Sequence, residues 1–332
     1  CLITGSRADY GLLYGLMQSI DKDKDLLLQV IATGMHLSPE FGLTYREIEK
    51  DGFQINKKVE MLLSADTPSS ISKSTGLGLI GFSDAFEDLN PDMAILLGDR
   101  FEILSAALAL TFAKIPFAHL HGGESTEGAL DESIRHSITK MAWWHFVAAD
   151  EYKKRVIQLG ENPKKVFNVG GLGVDVIKRT KLLSKSELEE KTAIRFTKKN
   201  LLITFHPVTL DSNTSQKHFK SIISVLNDLK DSLFIFTMPN ADSQGRIIKK
   251  IINDFVSTHS KNSIAFETMG NLNYLSTLQY VDAVVGNSSS GLTEAPTFKI
   301  GTINIGDRQK GRLKSKSVID CNPNKESIVK AI

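Results

Sequence analysis

Short β-rich runs alternate with helix-periodic segments along the whole chain, a pattern that points to parallel sheets covered by crossover helices. Strands are expected in the first half at residues 1–4, 27–33, 93–97, 117–120, 145–149 and 166–169. In the second half they are expected at 201–205, 233–237, 263–266, 283–285 and 302–305. Segments 10–20, 101–113 and 219–229 carry apolar residues at helical spacing. The fold class is therefore α/β, with two doubly wound units in succession. The boundary is expected within 170–200, where Gly-Gly is followed by a Lys/Glu-rich stretch, giving domains 1–172 and 173–332. A cleft between two such domains suits a ligand made of two dissimilar parts.

A chain of 332 residues is long for a single core and about right for two domains. Its 41% hydrophobic and 23% charged residues are those of an ordinary globular protein. Lys plus Arg number 40 against 38 Asp plus Glu, so there is no electrostatic case for a nucleic-acid partner. Cys1 and Cys321 are far apart and form no CxxC or Cys/His cluster, which argues against a disulfide scaffold or a zinc site and fits a cytoplasmic setting. No apolar stretch approaches the roughly 20 residues of a membrane span, and no signal segment is visible. The chain opens inside a strand pattern, so a few residues are expected to precede it.

Chemistry concentrates at strand ends. In LLGDRFEI an aliphatic run stops at Gly98, Asp99 and Arg100, which puts a carboxylate where a sheet edge opens. PFAHLHGGE follows, with His121 and Glu124 on either side of two glycines. EGALDESIRH places Asp131 and Glu132 at a helix start, where the helix dipole favours carboxylates in any case. The company of Asp99, His121 and Glu124 tips this toward function, because neighbouring carboxylates raise one another's proton affinity and can divide acid and base roles. No set has metal-ligand spacing.

GSRADYG after the first strand offers backbone amides and Arg7 to an anion; a plain strand-to-helix turn with a surface Arg is the competing reading. VVGNSSSGLTEAP repeats the logic with Ser288 and Ser289 as a phosphate cradle and Glu294 for a ribose, against an ordinary Ser cap. FHPVT holds His206 at the rim, in a structural or catalytic role. GDRQKGR supplies Arg308 and Arg312, as phosphate clamps or as solvated surface.

Taken together and in this order, GSRADYG, LLGDRFE, HGGE with DESIRH, FHPVT and GNSSSGLTE resemble the UDP-N-acetylglucosamine 2-epimerases, specifically the hydrolysing branch that feeds sialic-acid-type sugar synthesis. The match runs from Gly5 to Arg312. The resemblance implies a GT-B architecture of two Rossmann-like domains, no metal or other cofactor, and conversion of UDP-N-acetylglucosamine and water to UDP and N-acetylmannosamine. The route implied is elimination of UDP to a glycal, then hydration. By resemblance Asp99 acts in the elimination and Asp131 in the hydration. Arg7, His206, Ser288, Ser289 and Arg308 fall on the diphosphate, with His206 also a catalytic candidate. Glu294 falls on the ribose and Asn240 of MPNAD near the nucleotide.

Many relatives place a Glu before an Ala-Gly pair where this chain has His121 before Gly-Gly, so both His121 and Glu124 stand as candidates for the proton transfer. The chain also stops sooner after Arg312 than relatives do, before a helix that would return across the first domain. The partners implied are a small-molecule nucleotide sugar and a second copy of the chain in a homodimer, without nucleic acid or membrane. A UDP-2,4-diacetamido-sugar 2-epimerase of the legionaminic acid route would share every motif named. A non-hydrolysing epimerase, a glycosyltransferase of the same fold and a nucleotide-sugar receptor compete with these two readings.

Overall fold

A computed structural model of the chain describes residues 1–65, 67–125, 130–207, 214–239 and 245–332. They form two compact units, Cys1–Val176 and Ile177–Ile332. In unit 1 the elements run β1 (Leu2–Thr4), α1 (Arg7–Lys22), β2 (Val30–Thr33), α2 (Tyr45–Lys50), β3 (Lys57–Val59), α3 (Pro68–Leu89), β4 (Ala94–Leu97), α4 (Phe101–Phe112), β5 (Phe117–Leu120), α5 (Leu130–Met141), β6 (Trp144–Val147), α6 (Asp150–Gln158) and β7 (Val166–Asn168). Helix α7 (Leu172–Arg179) crosses the boundary. Among the described residues the sheet has seven strands, all parallel, in the order β3-β2-β1-β4-β5-β6-β7.

Successive strand residues point to opposite faces, and here both faces are covered. Ile3, Ile31, Leu96 and Phe117 enter one core with Phe82, Phe86, Ile103 and Ile138. Their strand neighbours Leu2, Val30, Leu97 and Leu120 enter another with Leu13, Met17 and Ile48. Burial on both sides is why these strands read as continuous apolar runs rather than alternations. Each fully buried Leu, Ile or Phe contributes about 1.5–3 kcal/mol. Thr67 caps α3 by accepting the Ser70 N–H, Pro68 opens the helix, and Asn90 closes it in the left-handed region at φ 40°.

Unit 2 contains α8 (Lys185–Thr192), β8 (Lys199–Thr204), α9 (Thr214–Asp228), β9 (Ser232–Thr237), α10 (Gly245–Thr258), β10 (Ser263–Phe266), α11 (Gly270–Leu278), β11 (Ala283–Gly286), α12 (Ser290–Thr293), β12 (Gly301–Ile305), β13 (Val318–Cys321) and α13 (Lys325–Ala331). Among the described residues its sheet has six parallel strands, ordered β10-β9-β8-β11-β12-β13. The core brings Ile203, Phe234, Phe236 and Val285 against Phe219, Ile222, Ile248 and Phe255. No helix among the described residues is long and apolar enough to cross a membrane.

Both sheets reverse their winding direction at one place, between β1 and β4 in unit 1 and between β8 and β11 in unit 2. In open α/β sheets the crevice at such a reversal, outside the carboxyl ends of the strands, is where ligands bind. The loops there carry Gly5–Ser6, Gly98–Arg100, His206 and Asn287–Ser289.

The strands expected from sequence are present with small shifts, and the largest is at 27–33, where pairing begins only at Val30. Leu27 there is 82% exposed, so the apolar run extends beyond the sheet. Two further strands, β3 and β13, are not expected from sequence, and each lies at a sheet edge. Lys57 and Lys58 of β3 reach out to Asp88 and Glu49, the charged dressing of an edge strand that reads as loop in sequence.

Candidate active site

Unit 1 builds its site around the Gly98–Arg100 turn. Gly98 donates its N–H to the Leu120 carbonyl at 3.2 Å, and its own carbonyl accepts from His119 Nε2 at 2.8 Å. The other imidazole nitrogen, Nδ1, accepts from the Thr139 hydroxyl at 3.0 Å. Burial pushes the His119 pKa down to about 3, so the ring is neutral with its hydrogen on Nε2.

Asp99 Oδ2 then accepts from Arg135 Nη2 of α5. The same guanidinium reaches Glu124 Oε2 with Nη1 at 3.3 Å, and Glu124 Oε1 accepts from His121 Nδ1 at 2.8 Å. The Leu172 N–H donates to His121 Nε2 at 3.3 Å. A backbone N–H needs a lone pair on that nitrogen, which assigns the His121 hydrogen to Nδ1. His121 sits at φ 62°, a left-handed conformation uncommon for histidine, which turns its ring onto Glu124. Asp99, Arg135, Glu124 and His121 thus form one continuous chain, three of them expected from sequence and Arg135 not.

A second acidic group lies beside it. Glu102 is wholly buried on α4 and holds Arg100 through contacts of 2.7 Å and 3.2 Å. Arg100 also feels Asp9 and Asp131, which ties the DESIRH motif to the turn. Burial raises the Asp9 pKa and Glu102 reinforces this, while the Ser6 hydroxyl, donating to Asp9 Oδ2 at 2.8 Å, and Arg100 restrain it. The chain packs tightly here. At Gly34, which has φ +57°, a Cβ would lie 2.9 Å from Glu102 Oε1 and 3.0 Å from the Gly5 carbonyl.

Arg7 opens helix α1. The GSRADYG motif follows β1 directly and forms the first turns of α1, the strand-to-helix junction expected from sequence, with Ser6 as its cap and the Asp9 carboxylate in its first turn. The Arg7 side chain is 62% exposed and pairs with Glu47 at 3.2 Å. An exposed pair of this kind is worth about 0–1 kcal/mol and yields readily to a better anion.

In unit 2 the organising residue is Asn287, which is 1% exposed. Its Oδ1 accepts from the His206 N–H at 2.7 Å, and its Nδ2 donates to the His206 carbonyl at 2.8 Å. Its own carbonyl accepts from Arg308 Nη1 at 3.0 Å and Gln309 Nε2 at 2.8 Å. One buried amide therefore joins the FHPVT, NSSSG and GDRQ loops. Gly286 permits the approach: at φ +143° a Cβ there would lie 1.9 Å from the Thr204 carbonyl oxygen.

Ser288 Oγ accepts from the Ser290 N–H at 3.3 Å, and Ser290 Oγ accepts from the Tyr274 hydroxyl at 2.6 Å. Burial raises the Glu294 pKa, with the Ser290 hydroxyl opposing it, and Tyr274 is raised by burial and then by Glu294. The helix that Ser289 opens, α12, spans Ser290–Thr293 only. The dipole expected of a full helix is thus reduced to a few local N–H groups. Asn240 lies outside the described residues.

Asn287, His119, Arg135 and Glu102 all sit inside or beside motifs legible in sequence, yet their roles are not legible there. Glu102 has the clearest signal, a lone charge early in the apolar helix FEILSAALALTF. Among the described residues, no group of three His, Cys, Asp or Glu could hold a metal ion.

The sequence profile described as UDP-N-acetylglucosamine 2-epimerase matches residues 18–332. The chain is 48% identical over 324 residues to the GDP/UDP-N,N'-diacetylbacillosamine 2-epimerase (hydrolyzing) of Campylobacter jejuni, covering 98% of this chain and 84% of that protein. It is 39% identical to the polysialic acid biosynthesis protein P7 of Escherichia coli, covering 99% and 84%. With the UDP-N,N'-diacetylbacillosamine 2-epimerase (hydrolyzing) of Legionella pneumophila it shares 35% identity, covering 98% and 86%. The crystal structure of UDP-GlcNAc 2-epimerase from Neisseria meningitidis bound to UDP-GlcNAc matches the fold at TM-score 0.75 and 18% identity, covering 99% and 88%.

Proposed function

Because the chain belongs to the UDP-N-acetylglucosamine 2-epimerase family, we propose that it is a hydrolysing 2-epimerase of a UDP-linked 2,4-diacetamido-2,4,6-trideoxyhexose, releasing UDP and the free 2-epimer. Motif content alone favours UDP-N-acetylglucosamine and places the diacetamido sugar second. Two hydrolysing relatives, at 48% and 35% identity, carry diacetylbacillosamine in their names and support the diacetamido sugar. The observation that carries the chemistry is the chain Asp99–Arg135–Glu124–His121 at the reversal point of the first sheet.

The reaction must remove the weakly acidic C2 hydrogen while the C1–O bond to UDP breaks, then add water to the resulting glycal. The C2 proton passes to a carboxylate, the electron pair forms the C1–C2 double bond, and the bond electrons leave with UDP. In the second half water gives a proton to a carboxylate as its oxygen bonds to C1, and the C1–C2 π pair takes up a proton at C2 on the opposite face. Glu124 is the better candidate for the first transfer, because both imidazole nitrogens of His121 are engaged and its Nδ1–H orients the Glu124 carboxylate. Asp99 acts in the elimination beside it, and Asp131, within the field of Arg100, serves the hydration.

Arg135 keeps Asp99 and Glu124 close without mutual repulsion, a condition for acid–base work by two carboxylates. In unit 2, Ser288, Ser289, Arg308 and the His206 side chain stabilise the departing diphosphate, Glu294 holds the ribose and Asn287, tied to the His206 backbone, keeps these loops in register. Arg7 exchanges Glu47 for a phosphate oxygen, and Asn240 contacts the nucleotide. Cytoplasmic location and a homodimer belong to the same reading. Ile80 and Phe112, 65% and 74% exposed on α3 and α4, would lie in the dimer interface.

The test is incubation with the UDP-diacetamido sugar and, separately, UDP-N-acetylglucosamine, followed by product identification. Free UDP together with the 2-epimer from the first donor is expected. A product that keeps its UDP, or turnover only when a sugar acceptor is added, would overturn the reading.

A further inference from the structure

Unit 1 contains a cavity of about 510 Å³ whose lining the chemistry above leaves unused, apart from Arg100. That volume is within the range of small-ligand sites. Part of its wall is apolar, where Phe41, Met61, Leu63, Ile71 and Phe101 line it. Three of these are exposed, Phe41 at 44%, Leu63 at 41% and Ile71 at 37%. Apolar side chains gathered around an opening and left exposed mark a surface that something covers.

Electrostatics narrows the occupant. Glu40 and Glu60 also line the cavity, and the cation among its described lining residues, Arg100, is already held by Glu102 and lies in the field of Asp9 and Asp131. A phosphate would meet net negative charge here. A neutral group with apolar parts would not. Arg100 engages Glu102 through Nε and Nη2, so Nη1 is the nitrogen that can serve a carbonyl acceptor.

Position narrows it further, since the cavity reaches the loops at the reversal of the first sheet: Gly34 and Arg100 line it, and Gly34 packs beside the Gly5 carbonyl and Glu102. Relative to N-acetylglucosamine, a 2,4-diacetamido-2,4,6-trideoxyhexose replaces the C4 hydroxyl by an acetamido group and the C6 hydroxymethyl by a methyl. Both changes add apolar surface, and the acetamido adds a carbonyl. We infer that this cavity receives the C4 acetamido and C6 methyl groups of the sugar, so that Leu63, Ile71 and Met61 set the preference for the diacetamido donor. The inference rests on the hydrolysing reading above and names the part of unit 1 that selects its substrate.

Leu63→Gln and Ile71→Gln test it, because both positions are partly exposed and tolerate a polar side chain without loss of the core. The readout is the ratio of kcat/KM for the UDP-diacetamido sugar to that for UDP-N-acetylglucosamine. Where turnover of the second donor is too slow, its inhibition constant against the first replaces it. One or two buried methyl groups discriminate by about 10-fold to 200-fold, so each variant should lower the ratio about 10-fold or more. An unchanged ratio in both variants would overturn the inference. So would a wild type that hydrolyses only UDP-N-acetylglucosamine, which would leave the hydrolysing reading standing. A wild type that consumes neither donor would remove both.

Discussion

His119 donates its Nε2 hydrogen to the carbonyl of Gly98 at 2.8 Å, and so orients the peptide from which Asp99 projects. With its pKa pushed down to about 3 by burial, this ring stays neutral at any working pH and serves to position the turn. His119→Asn should therefore lower kcat by about 10-fold to 100-fold, the cost of a misplaced acid, while KM changes little. The acid limb of the pH–rate profile should stay where it is. A shift of that limb would show that His119 titrates during turnover.

Arg135 is 7% exposed and carries the link between Asp99 and Glu124. Arg135→Gln leaves two neighbouring carboxylates without their shared cation. Removing one partner of a buried ion pair costs about 3–5 kcal/mol. Urea unfolding should show a loss of that order, and kcat/KM should fall by more than about 100-fold as the two acids repel. Near-wild-type activity in a stably folded variant would contradict the proposed arrangement.

Glu124 and His121 separate by substitution. Glu124→Gln keeps the shape and loses the base, which should reduce kcat by about 10²-fold to 10⁴-fold. His121→Asn suits the left-handed backbone at φ 62° and removes the contact that orients Glu124 and the acceptor of the Leu172 N–H but leaves the Glu124 carboxylate in place, so its loss should be at least about 10-fold smaller. Equal losses in a rate assay at saturating donor would return His121 to the set of proton-transfer groups.

Asn287→Ala leaves the His206 N–H and carbonyl without the side-chain partners they now have at 2.7 Å and 2.8 Å. An unmet buried hydrogen bond costs about 1–3 kcal/mol. UDP affinity by calorimetry should fall about 10-fold to 100-fold as the three loops lose their shared tie. Affinity within about twofold of wild type would place the diphosphate elsewhere.

Acid stability follows from two buried imidazoles. His36 lies between the Thr4 and Thr44 hydroxyls, and burial lowers its pKa from 6.5 to about 4, while His119 falls from 6.5 to about 3. In each case the unfolded state binds the proton more readily. Stability from these groups is therefore complete above about pH 6.5 and is lost as pH falls toward 4 and 3, at about 1.4 kcal/mol per pH unit for each. Asp9 and Glu294 act in the opposite sense, because their raised values let the folded state hold a proton at low pH. In urea titrations from pH 7 to pH 4.5, His36→Gln should flatten the decline. An unaltered slope would show that His36 does not take part.

Much of the fold and of the site is legible in the residues. Strands buried on both faces announce themselves as apolar runs, and the ionisable groups beyond their ends, Asp99, His121 and Glu124, mark the candidate site. Edge strands β3 and β13 are not legible: Lys57 and Lys58 give β3 the look of a charged loop, and β13, Val318–Cys321, is a short run interrupted by Asp320. Nor is the wiring between motifs. Arg135 meets Asp99 across 36 positions, and Asn287 meets His206 across 81. Such pairings follow from the strand order, which brings β4 beside β5 and β11 beside β8. Arg7 shows the same limit: its motif places it at the start of a helix, where the structure has it, but not its pairing with Glu47.

The central claim, that a carboxylate of unit 1 removes the C2 hydrogen as UDP departs and water then adds, is tested most directly by isotope labelling. Turnover of the UDP-diacetamido sugar in deuterium oxide enriched in oxygen-18 should give the 2-epimer with deuterium at C2 and oxygen-18 at C1, alongside unlabelled UDP. Product that retains protium at C2, or UDP that carries the oxygen-18, would contradict it.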